Sequence, residues 1–176
     1  TMIKKYLILI FISLLFSGLV YSEGNVSSEK SAYKYGKEDL THLIGKNSNF
    51  KKGVDAVRQA KKYDKKKKIE KSKKRFEDAI KFFILANKEQ PNNPDILNYL
   101  GFSYRKVGDY MMAEIYYTQG LEIDPKHIGI NEYLGQLYLK TDRINKAKER
   151  LEILKNCKCK EFETLSASIE KNSSKY

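Results

Sequence analysis

Several residue types in this chain recur at a constant spacing of 34 positions. A period of this length is typical of stacked helix-turn-helix units, because each helical pair has an apolar face that only its neighbours can bury. The chain is rich in lysine and has only 3 prolines, which favours helix over sheet. The repeat therefore predicts an all-α fold. Its members are Leu100 and Leu134, Gly101 and Gly135, Tyr104 and Tyr138, Ala79, Ala113 and Ala147, and Pro91 and Pro125.

The repeated small residues and prolines have direct structural roles. Gly101 and Gly135 lack a Cβ, so paired helices can approach closely, and the repeated alanines have the same effect from the facing helix. Pro91 ends one helix, and Pro94 suits the first turn of the next. We therefore expect a helix to begin at Pro94.

The pattern over 94–127 resembles a full tetratricopeptide repeat (TPR). It is carried by Leu100-Gly101-x-x-Tyr104, Ala113, Tyr117, Gly120 and Pro125. A second repeat over 128–159 is indicated by Leu134-Gly135-x-x-Tyr138, Ala147, Leu151 and Leu154, with Cys159 at the position of the closing proline.

The stretch over 50–93 resembles the family only in its second helix, through Ala79, Phe83, Ala86 and Pro91. In its first helix Lys66, Lys67 and Glu70 replace the expected Leu, Gly and Tyr. We therefore predict a longer or offset first helix, with Val54, Val57 and Ala60 as its apolar stripe.

The resemblance implies an all-α TPR-type array of about three helix-turn-helix repeats, wound as a right-handed superhelix. The repeats are expected near 50–93, 94–127 and 128–159, within a repeat domain at 50–156. A Cys-x-Cys turn and a capping helix are expected at 157–176, because Phe162, Leu165 and Ile169 have helical spacing.

The first 22 residues have the layout of a secretory signal peptide. Lys4 and Lys5 precede an apolar run, and Val20-Tyr21-Ser22 is an acceptable cleavage site. The run covers about 15 residues, short for a bilayer span of roughly 20, although a retained N-terminal anchor is the alternative. A polar linker follows at 23–49. We predict an exported bacterial protein that is periplasmic or secreted, or membrane-anchored if the signal is not cleaved.

The resemblance also implies a function. TPR arrays bind partners in a concave groove lined by the first helix of each repeat, so we expect a non-enzymatic scaffold or adaptor for a protein or peptide. Asn98 and Arg105 suit a peptide backbone or carboxylate, and Phe102 would be an apolar anchor. The alternative is that these are ordinary exposed helix residues. The matching groove positions are Asp95, Asn98, Phe102, Arg105, Lys106, Glu132, Gln136 and Lys140.

The sequence contains no enzymatic motif of the HExxH, GxSxG or P-loop type. Its two histidines, His42 and His127, are far apart, and His127 is interpreted as a turn residue near a helix N-terminus. We therefore expect no enzymatic activity, no catalytic residue, no metal site and no cofactor.

Cys157 and Cys159 leave three interpretations open. An exported protein with two cysteines favours a disulfide, although a bridge across one residue closes a very small ring and should stabilise little. Free or buried thiols are the second interpretation. A redox or soft-metal role is the third, and two thiolates alone make a weak metal site.

The segment Lys51–Arg75 carries 13 basic residues against 3 acidic ones. It is either a solvated lysine face or a patch that holds the protein on an anionic membrane or polysaccharide surface. The second interpretation gives an alternative function as an envelope- or membrane-associated protein. Nucleic acid is not an expected partner, because Tyr63 is the only aromatic residue in the segment and lysine greatly outnumbers arginine.

Overall fold

The computed structural model describes residues 47–173, which form seven α-helices joined by short turns. The described range contains no strand, and the predicted all-α fold is confirmed. The predicted signal peptide at 1–22 and nearly all of the predicted linker at 23–49 lie outside the described residues. The helices are α1 (Ser48–Lys65), α2 (Ile69–Glu89), α3 (Pro94–Val107), α4 (Tyr110–Ile123), α5 (Ile128–Lys140), α6 (Ile144–Leu154) and α7 (Lys160–Ser173).

Consecutive helices pack as pairs, α1 with α2, α3 with α4 and α5 with α6, and α7 packs against both α5 and α6. The pairs stack through contacts of α2 with α3 and of α4 with α5. Each pair thus covers an apolar face of its neighbour, and α7 covers the end of the stack.

Side chains cap the helices at the start of the central pair. Asn93 accepts hydrogen bonds from the backbone N–H groups of Asp95 (3.0 Å) and Ile96 (3.3 Å) at the beginning of α3. Asp109 caps α4 in the same way. Between the two helices, Gly108 has a φ of +93°, a left-handed conformation that favours glycine.

The central pair closes on a contact between Gly101 and the Tyr117 ring, which is fully buried. A Cβ at position 101 would lie 2.5 Å from that ring, so only glycine lets α3 approach α4 this closely. In the last pair, Gly135 is instead opposite Leu165 of α7, whose Cδ2 would lie 2.6 Å from an added Cβ. The close helix approach predicted at Gly135 is therefore between α5 and the capping helix α7, and not between α5 and its paired helix α6.

The first pair has the predicted offset. Lys67, which lies 34 positions before Gly101, is in the turn after α1, and Gly53 takes the glycine role against Phe83. Helices α1 and α2 have 18 and 21 residues, whereas α3 and α4 have 14 each. The first pair is therefore longer, which explains why its first helix does not match the repeat.

An ion pair links the second and third pairs. Both terminal nitrogens of Arg143, at the start of α6, donate to the carboxylate of Glu114 in α4 at 2.8 and 2.7 Å. These hydrogen bonds hold the pKa of Glu114 below its ordinary value. The Arg143 guanidinium also lies 4.5 Å from the centre of the Tyr138 ring, so a repeated tyrosine supports the link.

Replacing Gly101 by alanine should destabilise the fold. Alanine favours helix over glycine by about 1 kcal/mol, but its Cβ would collide with the buried Tyr117 ring. We expect Gly101→Ala to lower the free energy of unfolding by about 1–3 kcal/mol, measured by denaturant titration. Thr118→Ala, on the exposed side of α4, is the control and should change it by less than about 0.5 kcal/mol. A stabilised Gly101→Ala protein would contradict the packing described here.

Candidate functional site

A groove opens between α3, α5 and α7 and has a volume of about 690 Å³. Four of the eight predicted partner-binding residues line it, namely Arg105, Lys106, Gln136 and Lys140. We call this cavity the inner groove. Its lining is Arg105, Lys106, Tyr110, Gln136, Leu139, Lys140, Asp142, Ser168, Lys171 and Asn172.

The capping helix α7 forms one wall of the inner groove. The side-chain amide of Gln136 in α5 donates a hydrogen bond to the Ser168 hydroxyl at 2.8 Å, and that hydroxyl donates to the Thr164 carbonyl, also at 2.8 Å. The first bond links α7 to α5, and the second lies within α7 and orients the Ser168 hydroxyl. The C-terminal helix therefore contributes to the candidate site as well as covering the core.

Positive charge dominates the inner groove. Its lining includes three lysines and Arg105, against the single carboxylate of Asp142. Arg105 and Lys106 lie in the last turn of α3, and Lys140 lies in the last turn of α5. Cations at these positions interact favourably with the partial negative charge at the C-terminal end of a helix. The stacking of the pairs brings these helix ends together around one cavity.

Two aromatic rings hold the guanidinium of Arg105. The centres of the Phe102 and Tyr133 rings are 5.1 Å apart, and the guanidinium lies 5.7 and 5.5 Å from them. The Lys61 ammonium lies 4.9 Å from the centre of the Phe102 ring. Phe102, the predicted apolar anchor, is only 8% exposed. Its ring supports the surrounding cations instead.

Asp95 and Asn98, two further predicted groove residues, are also buried and do not line the inner groove. His127 caps α5, where its Nδ1 accepts a hydrogen bond from the Ile130 N–H at 3.1 Å. The proton must therefore be on Nε2, which lies 3.2 Å from the Asp95 carboxylate and donates to it. His127 is thus the structural residue near a helix N-terminus that we predicted, and it ties α3 to α5.

Glu132 was predicted to line the groove, but it is 9% exposed and lies beneath the surface. Burial raises its pKa from an ordinary value of 4.5 to about 7, and Glu161 of α7 adds to the rise. The cations Arg105 and Lys61 oppose it without cancelling it. A carboxyl group that gains or loses a proton near neutral pH therefore lies close enough to Arg105 to interact with it.

Lys106 connects the inner groove to the first helical pair. Its ammonium is 2.7 Å from the Asp64 carboxylate of α1 and lies 5.4 Å from the centre of the Phe76 ring of α2. Both groups of the ion pair are about one third exposed, so its contribution to stability is small. Its main effect is to position one cation at the edge of the groove.

The structure joins Cys157 and Cys159 by a disulfide, with 5.1 Å between the Cα atoms. The bridge lies in the turn between α6 and α7, just before the helix that forms one groove wall. Within residues 47–173 no group of three or more His, Cys, Asp or Glu side chains is arranged to hold a metal ion. No helix in the described part of the chain is long and apolar enough to cross a membrane.

The sequence prediction did not include Lys61, Ser168, Lys171 or Tyr133 in the site. Lys61 was missed because the first pair is offset from the 34-residue period, and Ser168 and Lys171 because α7 lies outside the repeats. The repeat could have identified Tyr133, because Tyr99 stands at the equivalent position 34 residues earlier. Tyr99 is also largely buried and packs against the Phe50 and Phe83 rings.

The stability of the chain should depend on pH through Glu132. Because its pKa is raised in the folded state, the folded protein binds this proton more tightly than the unfolded chain, and stability is lost as the pH rises from about 4.5 to about 7. Glu132→Gln removes this loss. We expect the variant to be more stable than the wild type by about 1–3 kcal/mol at pH 8, with a clearly smaller difference at pH 5, in thermal unfolding.

Glu163→Gln, on the exposed side of α7, is the matched control and should leave stability unchanged at both pH values. If Glu132→Gln is less stable than the wild type at pH 8, Glu132 is held as a carboxylate by its neighbours and the account of its burial is wrong.

Comparison with known proteins supports the repeat assignment. Residues 94–127 match the tetratricopeptide repeat family. No curated protein gave a significant match to the chain.

Three solved structures illustrate the similarity of fold. The Sgt2 TPR domain from Aspergillus fumigatus has a TM-score of 0.52 and 18% identity over 70% of this chain and 78% of its own. The TPR2B domain of yeast Sti1, in a complex with pHsp70, has a TM-score of 0.54 and 15% identity over 71% and 98%. The Yersinia enterocolitica type III secretion chaperone SycD, in complex with a peptide of the translocator YopD, has a TM-score of 0.51 and 19% identity over 69% and 92%.

Because all three structures are under 25% identical to this chain, the similarity shows a shared fold only. The paired helices, the period of 34 residues and the family match agree with one another. The described part of this chain therefore has the tetratricopeptide-repeat fold, and residues 94–127 match the repeat itself.

Proposed function

We propose that this protein is a non-enzymatic scaffold or adaptor that binds a peptide segment of a partner protein in the inner groove. The observation that carries the proposal is the convergence of Arg105, Lys106, Lys140 and Lys171 around one cavity, with a hydrogen-bonding amide at Gln136. A volume of about 690 Å³ falls within the range of roughly 300–1,000 Å³ that is common for ligand sites.

The charge of the groove favours an acidic peptide. A chain of Asp and Glu residues, or a C-terminal carboxylate, would meet four cations and one carboxylate. Arg105 is held by two rings and Lys106 by Asp64, so both cations are positioned before a partner arrives. Pre-positioned groups lose less conformational entropy on binding, which favours affinity.

The fold and its neighbours agree with a binding role. TPR domains are generally interaction scaffolds rather than enzymes, and the similar SycD and Sti1 structures contain a translocator peptide and pHsp70 respectively. These proteins are under 25% identical to this chain, so we propose peptide binding by this chain from its own groove. We likewise propose that the protein has no catalytic role.

We place this activity in the cell envelope, with the protein periplasmic or secreted after removal of residues 1–22. The apolar run behind Lys4 and Lys5 supports this location. The alternative function, association with an anionic membrane or polysaccharide surface through Lys51–Arg75, uses residues other than the groove lining, and the two activities are compatible.

The groove is tested with a fluorescent peptide of alternating Glu and Ser residues and the full chain, by fluorescence anisotropy. Reversing one exposed groove cation with Lys140→Glu should weaken binding at least about tenfold, because it replaces an attractive charge by a repulsive one. Binding should also weaken as salt is added, since exposed charges are screened.

Lys148→Glu is the matched control, because Lys148 is an exposed residue of α6 outside the groove lining and the net charge changes equally. A peptide in which lysine replaces each glutamate should not bind the wild type. If Lys140→Glu and Lys148→Glu weaken binding to the same extent, the peptide responds to overall charge and the groove assignment is wrong.

A further inference from the structure

The first helical pair projects beyond the other pairs at one end. Phe76 and Tyr110 are equivalent, 34 positions apart, yet α4 begins at Tyr110 whereas α2 begins at Ile69. The seven additional residues of α2 add about 10 Å at about 1.5 Å per residue. Helix α1 is extended to match, and the Ser72 hydroxyl donates to the Ala60 carbonyl at 3.1 Å to hold the two extensions together.

We call residues 60–75 the hairpin extension. It contains ten basic residues and only two acidic ones, Asp64 and Glu70. Asp64 forms its ion pair with Lys106 of α3, so one of the two carboxylates is paired with a lysine outside the extension. Insertions in repeat proteins commonly project from one face and often serve binding. Here the inserted turns hold most of the excess charge of the chain.

Lysines occupy the tip of the extension although local structure does not favour them there. The side chains of Lys65–Lys68 are all exposed, and the turn is closed by backbone hydrogen bonds to the carbonyls of Tyr63 and Asp64. Lys68 is the N-cap of α2 and makes no side-chain capping bond, at a position where Ser, Thr, Asp or Asn stabilise a helix. Adjacent like charges also repel, so helix formation does not explain this sequence.

An apolar side chain lies among these lysines. Ile69 is 63% exposed at the first position of α2, directly after the turn. A single exposed isoleucine is common on protein surfaces. Ile69 differs from such a residue because it lies at the end of a projecting, lysine-rich hairpin. Lysine ammonium groups beside an apolar side chain fit the boundary between lipid headgroups and acyl chains.

We propose that the hairpin extension docks on an anionic lipid surface, with Lys65–Lys68 at the headgroups and Ile69 inserted between them. A protruding turn can reach a planar surface, and lysine suits diffuse negative charge because its ammonium needs no fixed geometry.

The two arginines near the base of the extension and its one aromatic residue favour lipid over nucleic acid. Arg58 forms an ion pair with Asp55, and Arg75 is 3.1 Å from Asp78, so each arginine has a carboxylate partner on its own helix. Tyr63 is half-buried and does not offer an open face for base stacking. The docking surface shares no residue with the lining of the inner groove, and it does not depend on the proposed peptide-binding function.

The test is co-sedimentation of the full chain with phosphatidylcholine vesicles, with and without about one third phosphatidylserine, at about 0.1 M ionic strength. The wild type should bind the anionic vesicles much more tightly than the neutral ones. Removing three charges with Lys65→Gln, Lys66→Gln and Lys68→Gln should weaken this binding at least about tenfold.

The matched control replaces three exposed lysines near α7, with Lys148→Gln, Lys158→Gln and Lys160→Gln, and should stay within about twofold of the wild type. Equal weakening by both triple variants would overturn the proposal, because it would show a response to net charge alone. Binding to heparin or a DNA oligomer without binding to anionic vesicles would also overturn it.

Insertion of the tip has its own readout, because the chain contains no tryptophan. Ile69→Trp should give a blue-shifted emission when phosphatidylserine vesicles are added, since the indole would leave water. Met111→Trp, at a residue of α4 that is 72% exposed, should not shift. No shift at position 69, or an equal shift at both positions, would contradict docking through this tip.

Discussion

The structure depends on the close approach of neighbouring helices at glycine positions on α1, α3 and α5. Phe83, Tyr117 and Leu165 each lie where a Cβ on the facing glycine would be. Packing at this distance sets the separation of the two helices in the first and second pairs and of α7 from α5, because a side chain at any of these positions would push the helices apart. The contact at Gly135 brings α7 close to α5, where α7 forms one wall of the inner groove.

The inner groove is a consequence of this stacking. Helix dipoles favour cations at the C-terminal ends of α3 and α5, and stacking collects those ends around one volume. Glu132 is buried near Arg105, and burial raises the pKa of its carboxyl group to about 7. Aromatic rings and ion pairs fix the cations in place, so the groove is formed before any partner binds.

The period of 34 residues was sufficient to predict the paired helices and the close helix approach at Gly101 in the central repeat. It did not predict the glycine of the first repeat, because the hairpin extension separates Gly53 from Gly101 by more than one period. Nor did it predict which groove positions are buried. The interior position of Asp95 depends on His127, a contact across 32 positions of sequence that spacing alone does not reveal.

The central claim is that the inner groove binds an acidic peptide, and NMR chemical-shift mapping on the isotope-labelled full chain tests it most directly. Titration with an acidic peptide should move the backbone resonances around Arg105, Gln136, Lys140 and Lys171, which lie on α3, α5 and α7. Resonances of the exposed residues of α4 and α6 should stay in place. Shifts confined to the hairpin extension or to those outer helices, with none in the groove, would contradict the account.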